Sequence, residues 1–359
     1  MKAYTYGVLV DLYDQVPYSQ AGLGQANTQP AFDKGHDVYL GLIAEIDAAL
    51  AQNYNVTLGT DATTDFVFAG NMTKWAEFAH TLELKMYLRM VNAYPTDAQT
   101  GVTKLYLNPD FLSVNAGITQ YVNTPNKDNP FYEYNIRFLN TTVNIKASAT
   151  FISFLQATND PRIKSYFGTL NPVAINQGDY NNNAAIYLTA TSPVQTPTDP
   201  VWFMTAAESN FLQAEAVARY GVAGSAVTLY NAGIAASFAD NGLTAAQATT
   251  YEGQAAVTYP AGTLAANLQA IITQKWVSFA QGCHALEGFF DQQRTGIPKI
   301  SAVYSTAPTY VAGQWVYSLN GVTPNKLFPK RLIFPKDESD RNPNTPAQVP
   351  LTTKVWWGM

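Results

Sequence analysis

The 359-residue chain carries a net charge of -5 from 21 Lys+Arg and 26 Asp+Glu, and 47% of its residues are hydrophobic. That apolar content excludes a disordered chain, and the lack of a basic excess excludes a nucleic-acid binder held by phosphate contacts. Only 13% of the residues are charged, and 37 Thr, 27 Asn and 22 Tyr take their place. Length alone allows two domains or one large one, with a core big enough to need neither disulfide nor metal. The single cysteine, Cys283, reads as a small buried hydrophobe. No apolar run approaches the roughly 18 residues needed to span a bilayer. The opening Met1 to Asp11 is followed by no small-residue cleavage site.

The first predicted helix begins near Asp37, where Val38, Leu42, Ile46, Ala49 and Leu50 recur at helical spacing. A second places Trp75, Phe78, Ala79, Leu82, Met86 and Met90 on one face and Glu77, Thr81, Lys85 and Arg89 on the other. That pattern is an amphipathic surface helix. A third is expected over Asn144 to Gln156, stopped by Asp160-Pro161. Between Pro161 and Pro200 the periodicity fails, and loop is expected with a short strand around Ala185 to Leu188. Helix resumes at Thr205, where Thr205-Ala206-Ala207-Glu208 has capping-box spacing. It runs to Tyr220-Gly221, and a partner follows from about Ser225 to Phe238. Small residues, a Gly turn and a second helix are the layout of a tetratricopeptide-type hairpin. Two further helices carry Leu268, Ile271, Ile272, Trp276 and Phe279, then Leu286, Phe289 and Phe290. Gly296 is placed as a left-handed cap before Pro298. Beyond Pro298 the chain reads as loop. About eight helices in antiparallel pairs, an all-α fold with a loop-rich layer and no βαβ alternation, is the expectation.

Motifs for chemistry are sparse. His36, His80 and His284 have no metal-ligand spacing and read as surface or capping histidines, and no phosphate loop or nucleophile elbow is present. Asp11 with Asp14, and Glu208 with Glu215, are the carboxylate pairs a glycosidase would need, but no apolar pocket is apparent to raise one pKa. Asp337 to Asn342 lacks EF-hand spacing and reads as a solvated loop, so no metal and no cofactor are expected. The sequon Asn140-Thr141-Thr142 carries no weight without a secretory eukaryotic context. The remaining lead is aromatic. Sugars stack apolar CH faces on Trp and Tyr while amides and carboxylates take their hydroxyls. Loop aromatics include Tyr13, Tyr18, Tyr180, Tyr187, Trp202, Tyr310, Trp315 and Tyr317, whereas Trp75 and Trp276, at helical spacing, read as core.

Several segments together resemble one family, the SusD/RagB-like nutrient-binding lipoproteins, in particular its second SusD-like branch. The segment Asp11-Leu12-Tyr13-Asp14-Gln15-Val16-Pro17-Tyr18-Ser19 is similar to the family's "TDlyGdiPYs". Lys74-Trp75-Ala76-Glu77-Phe78-Ala79-His80 through Leu84-Lys85 to Arg89 resembles "kWkkFAN…LR…R", and Asn159-Asp160-Pro161-Arg162 resembles "nDPR". Thr205 to Glu208 with Ala214-Glu215-Ala216, Gln274-Lys275-Trp276, Arg294-Thr295-Gly296 and Arg331 to Pro335 complete the series in the family's order. Three departures stand out: His80 replaces the Asn of "FAN", Gln293 the first Arg of "RRTG", and Asp14 the Gly of the turn, with Gln15 following.

The resemblance implies an all-α protein with four tetratricopeptide-like helix pairs and a loop-rich ligand-binding layer. It implies a single domain over 1–359, with the scaffold mainly in 1–157 and 204–298 and loop-rich regions in 158–203 and 299–359. It further implies a non-catalytic role: capture of an oligosaccharide at the outer-membrane surface of a Gram-negative bacterium and delivery to a SusC-like TonB-dependent transporter. Relatives are anchored by an N-terminal lipidated cysteine absent from this chain, which opens inside the first helix as if short by on the order of a hundred residues. The turn residues Tyr13, Asp14, Gln15 and Tyr18 lie near the ligand face in relatives, and with Trp202, Trp315 and Tyr317, chosen for loop position, they are the expected ligand-binding residues. Two alternatives stay open, the same architecture delivering peptides or another nutrient, and a glycan-degrading enzyme.

Overall fold

The computed structural model describes residues 1–52, 63–139, 144–177, 184–280, 282, 284–318, 321, 323 and 327–359. Cys283, the sequon at Asn140, Tyr180 and the side chain of Tyr187 lie outside the described residues. Helices dominate: α1 (Lys2–Tyr13), α2 (Gly35–Leu50), α3 (Met72–Arg89), α4 (Pro95–Leu105), the single turn α5 (Pro130–Tyr132), α6 (Ala149–Ala157), α7 (Arg162–Phe167) and α8 (Ala184–Thr189). They continue as α9 (Ala206–Tyr220), α10 (Ala226–Asp240), α11 (Ala245–Glu252), α12 (Leu264–Ser278), α13 (Leu286–Thr295) and α14 (Lys336–Arg341). Two short antiparallel pairs join β1 (Gln15–Val16) to β2 (Asp33–Lys34) and β3 (Ala116–Ile118) to β4 (Val201–Met204). No described helix is long and apolar enough to cross a membrane.

The expected hairpin is α9 and α10. Thr205 Oγ1 accepts from Glu208 N at 3.0 Å to start α9, Gly221 ends it at φ 62°, and Ser225 caps α10. Close approach is set by Gly233, where a Cβ would lie 2.7 Å from the Phe211 ring. Gly296, at φ 69°, ends α13 as expected.

Several expectations are corrected. The segment Ala184–Thr189 is helix, not strand, because the good helix formers Ala184, Ala185 and Leu188 outweigh the β-branched Ile186 and Thr189. Helix α6 starts at Ala149 because Ile175 N donates to Ala147 O at 3.0 Å and Ile175 O accepts from Ala149 N at 2.7 Å, holding that stretch extended. Helix α11 lies in a stretch with no predicted element, and Thr244 and Gln247 start it with a complete capping box. The acidic segment expected as loop is α14, with Asp337 and Glu338 at its positive end. The chain after Pro298 is otherwise irregular, yet it closes the core. Val355 and Trp357 are fully buried, and Leu332 N donates to Leu12 O at 2.8 Å.

The largest correction concerns α3. Every residue from Thr81 to Met90 is buried, including those assigned to a solvent face. A helix can be buried all round while carrying charge only if each charge is neutralised. Lys85 Nζ lies 3.0 Å from Glu208 and 3.2 Å from Glu287, while Arg89 lies 2.8 Å from Glu287 and 3.3 Å from Asp11. The pairing extends through Lys275 with Asp291 at 3.0 Å and Arg294 with Glu215 at 2.6 Å. His284, expected at the surface, is buried with Nε2 2.7 Å from Glu208. The capping box at Thr205 is therefore half formed, since the Glu208 carboxylate turns inward to these cations. Helices α1, α3, α9, α12 and α13 all contribute. A second buried cluster centres on Arg162, held by Asp160 at 2.6 Å and by Ser237 and Gln274 at 2.9 Å. Its guanidinium lies over Phe238 at 4.9 Å and Tyr251 at 5.3 Å.

Candidate functional site

The carboxylates that could have served catalysis are locked in this core. Glu208 and Glu215 have no exposed surface, and the nearby cations hold both carboxyls well below the usual range despite burial. Burial opposes ionisation of Glu287 too, but Lys85 and Arg89 outweigh it and hold its carboxyl down to about 2. Asp11 is the exception. Burial pushes it up to about 6 against the pull of Arg89, and it accepts from Tyr39 at 2.6 Å and Trp357 at 2.7 Å. Among the described residues, Asp11 and Glu287 line a cavity of about 20 Å³ together with Lys85 and Arg89, too small for a sugar to meet a carboxyl pair. No cluster of three or more metal-ligating side chains occurs among the described residues.

The expected ligand residues fall into two places. Tyr13, Asp14, Gln15 and Tyr18 sit where α1 ends, in a turn bound to the chain's last segment. Asp14 takes φ 73°, the left-handed conformation that favours glycine. It is held there by Trp356 N, donating to Oδ1 at 2.5 Å, and by Arg331, 3.5 Å from Oδ2. Tyr13 stacks on Phe334 at 6.0 Å and 14°. Gln15 pairs with Lys34 in the β1–β2 ladder. Tyr18 donates its hydroxyl to Glu45 at 2.8 Å, and its ring lies 5.1 Å from Lys2 Nζ. Burial and Glu45 together push that phenol up to about 12.

Trp315 belongs to the other place. A cavity of about 250 Å³ lies between the start of α6, α7, the end of α12 and the C-terminal loop. Trp276 and Trp315 line it with Phe151, Phe167 and Phe279, and Lys146, Ser148 and Gln177 supply the polar groups. Trp315 is fixed through its backbone, donating to Lys299 O and accepting from Ser301 N, both at 2.8 Å, with its ring 5.6 Å from Phe328. Trp276 meets Phe151 edge to face at 5.1 Å. Lys146 Nζ is directed to Ala190 O at 2.8 Å and Ser192 Oγ at 3.3 Å. Ser148 Oγ is buried with no hydrogen-bond partner among the described residues. Trp202 does not line the cavity: its backbone N–H donates to Gly282 O at 2.9 Å, and a Cβ on Gly282 would come within 2.1 Å of the indole. Tyr317 is half-buried beyond Trp315 and does not line the cavity.

Helical spacing alone predicts Trp276 in the core. One face of α12 does enter the core through Ile271, Ile272 and Val277, but Trp276 is half-buried and lines the cavity. Lys275, the residue before it, turns its ammonium inward to Asp291 at 3.0 Å. Adjacent residues on a helix point about 100° apart.

A family model described as SusD-like, "Starch-binding associating with outer membrane", matches residues 1–335. No curated protein matches the chain. Among solved structures, a chitin-binding SusD homolog from Flavobacterium johnsoniae superposes with a TM-score of 0.77 at 24% identity, covering 99% of this chain and 80% of that one. A SusD homolog from Bacteroides uniformis gives a TM-score of 0.77 at 23% identity, covering 99% and 81%. A SusD-like protein from Bacteroides thetaiotaomicron gives 0.76 at 23%, covering 100% and 80%. These likenesses agree with the all-α, tetratricopeptide-like architecture, and the match over residues 1–335 places the chain in the SusD/RagB-like family, within its second SusD-like branch.

Proposed function

We propose that this protein is a non-catalytic glycan receptor of the outer-membrane surface that hands an unaltered oligosaccharide to a SusC-like TonB-dependent transporter. The observation that carries this reading is the cavity between Trp276 and Trp315. Two indoles offer apolar faces to sugar CH groups, and Ser148, Gln177 and Lys146 stand where hydroxyls would arrive. The family description and the chitin-binding relative support the ligand class. The carboxylates of the core are buried and paired, which supports binding without cleavage. In this reading the helical scaffold is the face that rests on the transporter, and the turn at Tyr13 to Tyr18 contributes to the ligand face. Affinity is modest, because a cavity this small desolvates few groups and release must follow.

A glycan array tests the proposal, with mass spectrometry of the sugar recovered from the protein. The proposal expects binding of at least one oligosaccharide class, recovered at its original length. Binding of peptide pools with no glycan would favour the other nutrient class, and shortened sugar would favour an enzyme.

A further inference from the structure

The loop layer holds a second aromatic feature that no family motif covers. After the turn α5 the chain makes a π-helical turn over Glu133–Phe138. Tyr134 is 69% exposed and Phe138 61% exposed, with ring centroids 5.4 Å apart and planes tilted by 54°. The turn is held rigidly from its polar side. Asn129 accepts from Phe131 N at 2.9 Å and Tyr132 N at 3.0 Å, and donates to Asp199 O at 2.9 Å. Arg137 is bound to Asp128 and lies 3.4 Å from Glu133. Asn135 Nδ2 donates to Gln195 Oε1 at 2.9 Å, and Asn144 Nδ2 lies 3.4 Å from Asn135 Oδ1.

Two observations link this turn to the cavity. Gln195 directly follows Val194, which lines the cavity, and Asn144 precedes Lys146 by two residues. The amides of Gln195, Asn135 and Asn144 therefore tie two chain segments that line the cavity to the foot of the exposed rings. Large rings held in solvent by a fastened turn mark an interaction site, and π-helical turns occur frequently at functional sites. Rings beside amides suit a sugar chain, whose units alternate apolar faces with hydroxyls.

We infer that Tyr134 and Phe138 form a second glycan subsite, and that the ligand is an extended oligosaccharide with one unit in the Trp276–Trp315 cavity and a later unit on this turn. This rests on the glycan reading of the cavity. The test is titration calorimetry with maltose to maltoheptaose and chitobiose to chitohexaose, on the wild type and on the Tyr134→Ala/Phe138→Ala variant. Both rings are exposed, so folding is retained, and an unchanged melting temperature checks it. In the series that binds, wild-type affinity should rise with length, and the variant should lose about tenfold for the longest member and nothing for the shortest that binds. Equal affinity of the variant for the longest member overturns the second subsite while leaving the cavity reading intact. Binding of neither series at any length overturns the second subsite for these chains, and binding of no sugar on the glycan array overturns the cavity reading with it.

Discussion

The helical core and the cavity face treat charge in opposite ways. In the core, Lys85, Arg89, Lys275 and Arg294 are buried against Asp11, Glu208, Glu215, Glu287 and Asp291, and these are largely the residues that carry the family resemblance. Around the cavity the lining is mainly aromatic and small apolar, Lys146 is its one charged residue among the described residues, and of these only Trp276 falls in a resembling segment. The shared motifs of this chain thus build the scaffold. In the proposed reading, ligand choice falls mainly to residues the motifs do not specify, as expected where one fold serves many functions.

This contrast predicts separable phenotypes. The largest effect is expected on stability from Arg294→Met, which leaves Glu215 and Asp291 without their shared cation. Breaking a buried pair costs ~3–5 kcal/mol, read as a lower urea midpoint. If the midpoint barely moves, the paired core is not what holds the helices together. Next, Trp276→Ala or Trp315→Ala should weaken glycan binding about tenfold while the urea midpoint of the Trp315 variant changes little, because that ring packs chiefly on Phe328.

Acid separates the regions further. Glu208, Glu215, Glu287 and Asp291 have folded pKa values below their unfolded ones, so the stability they contribute is present above pH 4.5 and lost as pH falls toward 2. The urea midpoint should drop between pH 5 and pH 3, and Glu215→Gln should flatten that dependence. An unchanged slope in the variant would remove Glu215 from the account. The smallest effect has the opposite sign. Glu83, on α3, is buried with neither carboxylate oxygen hydrogen-bonded among the described residues, and burial with nearby Asp47 pushes it up to about 8. A raised folded pKa means stability falls as pH rises through 8, so Glu83→Gln should raise the melting temperature at pH 9 by on the order of 2–5 °C and do nothing at pH 4.

What the sequence makes legible follows from the range of the forces involved. The α9–α10 hairpin is readable because its cap, glycine turn and small residues act within a few positions of one another. The burial of α3 is not, because the partners of Lys85 and Arg89 sit on α1, α9 and α13, and an isolated Lys or Arg stripe looks the same as a solvated face. Asp14 is a mixed case. The sequence marks it as a departure from glycine, but only the structure connects its left-handed backbone to Arg331 and Trp356. Trp315 could be chosen from its loop position, whereas Trp276 needed the ends of α12 and α6 to be placed together, and the turn at Tyr134 has a π-helical geometry that side-chain periodicity does not encode.

The central claim is tested most directly by calorimetric titration of maltoheptaose and chitohexaose into the wild type and the Trp276→Ala/Trp315→Ala variant, with the sugar weighed afterwards by mass spectrometry. The account predicts that one of the two binds the wild type, is recovered intact, and shows no measurable binding to the folded variant. Wild-type affinity in the folded variant, or recovery of a shortened sugar, would contradict it.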